Sequence, residues 1–215
     1  MGLPATAKVN NLVSKNDSAK KNNDYYKVRF GVTNSNYLGY KSLKDFARDS
    51  DNAVDLENIW ALRASMKFPL WKDGFLSADL GQDVNTTYNK AENKDVTSSP
   101  IAEVKYRQNF GGTERVKFHL YGRGRATPAP KDAQNKVVTQ VRCAFGTDII
   151  LDDKCGLYAD VHYTSKYNKD KKWENKYGGW VGFNFKKFWI EEQMNFEPGS
   201  AKPKFSTNAG FTILF

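Results

Sequence analysis

From Arg115 to Arg125 every second residue is polar and most are basic: Arg115, Lys117, His119, Tyr121, Arg123 and Arg125. Lys105 and Arg107 stand on the stretch before, and Arg142 on the stretch after. In an extended chain, alternate residues share one face at intervals of about 6.5–7 Å. Cations at that spacing give an anion a series of weak sites, which it can enter and leave. Arg would grip a carboxylate or phosphate with two parallel hydrogen bonds, while Lys would act as a point charge. The chemistry on offer is electrostatic. His119 and His162 are the two histidines, no Gly-x-Ser-x-Gly motif is present, and no Ser is placed near either His by the sequence. Cys143 and Cys155 form no Cys-x-x-Cys pair and complete no metal-site pattern with the histidines. No catalytic residue, metal or cofactor is assigned.

The elements that must carry these residues are strands. The chain has 215 residues, 40% of them apolar, a net charge of +9, a sequence pI of about 9.4 and a mean hydropathy of -0.68. That is enough apolar content for one domain with an interior, and residues 1–215 read as one domain. The positive balance suggests an anionic partner. No stretch approaches the ~20 apolar residues of a membrane-crossing helix, but a crossing strand needs only about 9–11, half of them polar. Almost everywhere the hydrophobic period is two. Trp60, Leu62, Ala64, Met66 and Phe68 alternate with Ala61, Arg63, Ser65 and Lys67. Val116, Phe118 and Leu120 alternate with the basic row, and Leu157, Ala159, Val161 and Tyr163 with Tyr158, Asp160 and His162.

The apolar faces hold almost no charge. Glu192 is the exception, and a bulge or an interfacial position is expected for it. The opposite faces hold Lys27, Arg29, Arg63, Lys67, Lys105, Arg107, Arg115, Lys117, Arg123, Arg125, Arg142, Lys166 and Lys186. Against these stand Asp79, Asp83, Glu103, Asp160 and Glu191, too few to neutralise them. Aromatics cluster near strand ends on the apolar side, as in the girdles of membrane barrels. A soluble barrel or sandwich with a basic outside is the alternative, but it would have to pack those aromatics inside.

The N-terminal quarter reads less clearly. Ala5–Val9 is a first strand, Val28–Val32 a second, and TNSN a turn into a third, YLGYKSL; SLKDFARDSD (42–51) is a short helical candidate. Long and short connections alternate. The expectation is an all-β fold: a closed antiparallel up-and-down transmembrane β-barrel of about 12 strands.

The last strand, KFSTNAGFTILF, has Phe205, Thr207, Ala209, Phe211, Ile213 and Phe215 on one face. Its end resembles the terminal signal of outer-membrane barrels, through Phe211, Ile213 and Phe215 in the bacterial form and Asn208, Gly210, Ile213 and Phe215 in the organelle form. The resemblance to outer-membrane porin-like channels implies passive transport, membrane lipids as surroundings and the barrel-assembly machinery as a partner. With the basic face inside, small phosphorylated or carboxylated anions are the expected solutes. A Met start, two cysteines and a high pI point to a plastid or mitochondrial outer membrane, where barrels arrive from a reducing cytosol; a Gram-negative outer membrane is the alternative. GRGRATPAPK lacks the aromatic rhythm of a nucleic-acid site. A lipid-modifying enzyme in the barrel wall is the competing function.

Overall fold

The computed structural model describes residues 26–40, 53–70, 73–88, 94–129, 136–168, 170–200 and 203–215. They form ten strands: β1 (Val28–Tyr40), β2 (Ala53–Pro69), β3 (Gly74–Tyr88), β4 (Lys94–Phe110), β5 (Val116–Pro128), β6 (Val137–Ile150), β7 (Cys155–Tyr167), β8 (Trp173–Phe185), β9 (Phe188–Phe196) and β10 (Lys204–Leu214). Each strand pairs antiparallel with the next, and β10 returns to pair with β1, closing the barrel. Closure leaves no sheet edge with unpaired backbone groups, the condition for a sheet to sit in hydrocarbon.

The hairpins at 70–73, 111–115, 151–154 and 186–187 share one end of the barrel. That end also holds the start of β1 and the end of β10, where Gly31 faces Leu214. The other end holds the connections at 41–52, 89–93, 129–136, 168–172 and 197–203. The tight turn at Lys186–Lys187 is present, with Lys186 at φ 53°. In the 111–115 turn Gly112 has φ 89°, and a side chain there would run into the Val116 carbonyl. In the 151–154 turn the Asp152 carboxylate accepts the backbone N–H of Lys154 (2.6 Å) and of Cys155 (2.9 Å). Those bonds hold its pKa below the ordinary value.

The N-terminal reading needs one correction. TNSN is no turn: β1 runs through it in unbroken pairing with β2 until a register shift at Gly39–Tyr40. Thr33 and Ser35 point inward and are buried, and Asn34 lies outward beneath the edge-to-face pair Trp60–Phe211. The expected second and third strands are therefore one. The Ala5–Val9 strand and the helical candidate at 42–51 fall outside the described residues. The closed, antiparallel, all-β barrel stands, with ten strands among the described residues.

Its faces are inverted relative to a soluble protein. Leu62, Leu80, Val161, Val181 and Phe188 are 56–66% exposed on the outside, in a continuous apolar band. Soluble monomers rarely expose apolar patches beyond a few hundred Å². Inside, the buried side chains include Asp79, Glu103, Lys105, Arg107, His119, Arg123 and Arg142. Phe68, Phe110, Phe118, Phe185 and Phe188 ring the short-turn end, and Tyr88, Tyr163, Trp173 and Tyr177 the other. With the closed wall, this is the build of an outer-membrane-type transmembrane β-barrel.

Candidate pore interior

The interior is layered. Near the short-turn end Arg107 is ion-paired with Asp148, and its Nε donates to Asn109 Oδ1 at 3.0 Å. His119, fully buried, lies between Asp148 (3.2 Å) and Asp160 (2.6 Å). Beside them the Tyr158 hydroxyl donates to Glu191 Oε2 at 2.9 Å, and the Gln193 and Asn208 amides donate to its other oxygen. Ala144, Tyr158 and Trp180 form the only buried apolar cluster among the described residues, with Tyr121 packed on it. Two inward glycines make room for this layer. Gly182 pairs with Tyr158 and Gly210 with Trp189, and a Cβ on either would collide with the neighbouring ring.

The next layer centres on Lys105, held by Asp79 at 2.6 Å and Glu103 at 2.7 Å. Arg123 lies 3.6 Å from Glu103 and donates to Gln140 Oε1 at 2.7 Å. Toward the long-loop end Asp83 accepts from both Arg63 and Arg125, the latter at 2.6 Å. Above this the barrel opens into a vestibule with a cavity volume of about 410 Å³. Its charged lining is Arg125, Arg142, Lys166, Lys176 and Lys204 against Glu57, Asp83 and Glu174. At the rim the Glu197 carboxylate is hydrogen-bonded by Lys176 (2.6 Å) and Lys204 (2.9 Å), which hold its pKa down at about 2.

The thirteen bases read from the sequence thus divide. Arg63, Lys105, Arg107, Arg123, Arg125 and Arg142 point into the barrel and come together there. Lys166 lines the vestibule, 3.8 Å from Glu174. Arg29 is half-buried near the start of β1, and Lys67 near the end of β2 lies over the Phe75 ring at 4.8 Å. Lys27, Arg115, Lys117 and Lys186 are exposed. Arg115 belongs to the 111–115 turn rather than to β5, and Lys186 to the 186–187 turn, so neither lines the middle of the barrel.

The expected surplus of interior cations is also smaller than the sequence count. Glu57 and Asp148 are buried inside and were missing from that count. Both were legible by parity, Glu57 two residues before the inward Ile59, and Asp148 on the Arg142 face of β6. Glu192 needs no bulge: the register of β9 runs unbroken, and the carboxylate faces outward in mid-strand. The Thr207 hydroxyl donates to it at 2.7 Å. On β10 Ser206, Asn208 and Thr212 are buried inward, leaving Phe205, Phe211, Ile213 and Phe215 outside or at the rim. Cys143 is exposed on the outer face and Cys155 begins β7, both as free thiols.

The sequence matches no protein-family profile and no curated protein. Solved structures of similar shape are outer-membrane proteins. One is an outer membrane channel from Pseudomonas putida F1, 10% identical, covering 87% of this chain and 95% of that one, with a TM-score of 0.47. Another is the β domain of the Bordetella autotransporter BrkA, at 7% identity, 86% and 99% coverage, and 0.42. A third is the Acinetobacter baumannii outer membrane protein Omp33, at 11%, 86% and 98%, and 0.37. Identities and scores this low carry nothing about activity, and the barrel itself rests on the strand pairing described above.

Proposed function

We propose that this chain is a passive pore of an outer membrane that favours small anionic solutes carrying carboxylate or phosphate groups. The observation that carries the reading is the vestibule: an open cavity inside an inverted barrel, lined by five bases and three acids, with Glu197 at the rim bonded to Lys176 and Lys204. Such an excess raises the local concentration of anions and repels cations. Selectivity then belongs to Arg125, Arg142, Lys166, Lys176 and Lys204 rather than to Arg115 and Lys117 at the opposite end. The outward stripe of Phe211, Ile213 and Phe215 is the segment that barrel-assembly machinery would read. Insertion by the bacterial or by the organelle machinery in reconstituted membranes tells the two outer membranes apart.

A pore is favoured over an enzyme by how the histidines are held. His119 sits between two carboxylates, and His162 is bonded with Asn195 at 3.1 Å and stacked on Trp180 at 4.5 Å. Those contacts brace a wall and do not activate a nucleophile. The test is the reversal potential of the purified barrel in planar bilayers across a KCl gradient. A potential on the chloride side, moved toward zero by Lys166→Gln with Lys176→Gln, is the expected result. A cation-selective potential would overturn the anion preference, and a folded barrel without conductance would overturn the pore.

A further inference from the structure

Arg142 differs from every other cation inside the barrel. Arg63 and Arg125 share Asp83, Lys105 holds Asp79 and Glu103, Arg107 holds Asp148, and Arg123 lies against Glu103. Arg142 is only 6% exposed and has no carboxylate within ion-pair distance among the described residues. Its Nε donates to Thr164 Oγ1 at 2.9 Å, and its guanidinium carbon lies 5.2 Å from the Trp180 ring centre. Its direct cross-strand neighbour is another cation, Arg123. The two Nη groups meet no protein acceptor among the described residues, and the side chain lines the vestibule. A buried guanidinium with an unused donor edge is costly unless a counter-charge arrives.

We infer that Arg142 forms, at the floor of the vestibule, a binding site for the carboxylate of a small organic monoacid with an apolar body. A guanidinium with no carboxylate within ion-pair distance calls for one negative charge at its free edge. The planar fork matches a carboxylate with two parallel bonds. The Thr164 oxygen accepts from Arg142 and keeps its own O–H to donate to the same ligand. Ile59, Pro128 and Val138 give the cavity apolar walls, and about 410 Å³ is in the range of small-molecule pockets. A dianion would find Arg125 already engaged by Asp83, with Glu57 and Glu174 also on the lining. The inference rests on the pore reading only in that solute must reach the vestibule from water.

Benzoate is the probe, titrated calorimetrically into the detergent-folded wild-type barrel, with inorganic phosphate for comparison. Saturable binding tighter than that of phosphate is expected. Arg142→Gln should weaken it about tenfold or more, and Arg142→Lys, which keeps the charge and loses the fork, several-fold. Heat-modifiable migration in gels checks that each variant is folded. If Arg142→Gln does not fold, Arg142→Lys and the wild type decide. Benzoate binding unchanged in the variants, or no saturable binding by the wild type, overturns the site. Chloride-selective conductance without benzoate binding rejects the site and leaves the pore standing. Arg142-dependent binding without conductance rejects the pore and keeps the site.

Discussion

The two halves of the barrel interior use the same residue types to different ends. Toward the short turns, Arg107 is ion-paired with Asp148, and His119 lies fully buried between Asp148 and Asp160. Toward the long loops, Arg125, Arg142 and Asp83 border an open cavity, Arg63 joins Arg125 on Asp83, and Arg142 has no carboxylate within ion-pair distance among the described residues. The difference lies in what fills the middle. Tyr158, Trp180 and Trp189 occupy the closed half, with Gly182 making room for the Tyr158 ring and Gly210 for Trp189. The open half is lined largely by polar and charged side chains around an open cavity. Charge in a barrel therefore serves as bracing where aromatic bulk excludes water, and as attraction where it does not.

The contrast breaks most visibly by deleting one acid from each half. Asp148→Ala strands Arg107 and one side of His119 without water, and should cost about 3–5 kcal/mol. Asp83→Ala leaves Arg63 and Arg125 beside the hydrated vestibule, at about 1–3 kcal/mol. Urea unfolding in lipid vesicles measures both, and equal losses would erase the distinction between the halves. Both halves presuppose lipid outside. Leu80→Arg on the outer face in mid-β3 should cost about 2–4 kcal/mol in the same vesicles, whereas on a wet surface it would be nearly neutral.

A smaller effect on stability, read instead as current, comes from the aromatic layer. Trp180→Ala removes the largest ring of the buried cluster and should raise single-channel conductance while retaining the chloride preference set in the vestibule. Unchanged conductance would place the constriction elsewhere. The smallest expected effect is at the rim. Glu197 has its pKa lowered from 4.5 to about 2, so its bonds to Lys176 and Lys204 add stability that is complete above 4.5. That stability is lost as the pH falls toward 2. Because the pair is partly exposed, the effect should appear as faster proteolysis of the 197–203 connection below about pH 3, not as global unfolding. Lys204→Gln should move that onset to higher pH.

Much of this was written in the alternation. Lys105, Arg107, Arg123, Arg125 and Arg142 could be placed inside, and Leu80, Val161 and Phe188 outside, because a strand has only two faces and lipid forbids charge on one of them. Asp148 and Glu57 obey the same parity and could have been counted. The TNSN segment reads as a turn from sequence because four small polar residues carry strong turn propensity. Tertiary pairing outweighed it: Asn34 is covered by Trp60 and Phe211, and Thr33 bonds Thr212 across the closing seam at 3.1 Å. Glu192 was anomalous by parity, and only the register with β10 revealed the Thr207 hydroxyl that receives it.

The sequence by itself favoured the inverted barrel: a period of two with charge confined to one face also suits a soluble sandwich, but the aromatics near the strand ends fit a bilayer outside better than a packed core. It could not determine which interior charges cancel. Lys105 meets Asp79 on the adjacent strand, and Arg125 meets Asp83 two strands away, across 42 residues of chain. Those meetings depend on strand stagger and closure, and alternation specifies only the face of a residue, not its height in the barrel. Tertiary structure alone thus reduced a row of basic residues to one guanidinium, Arg142, without an adjacent carboxylate among the described residues.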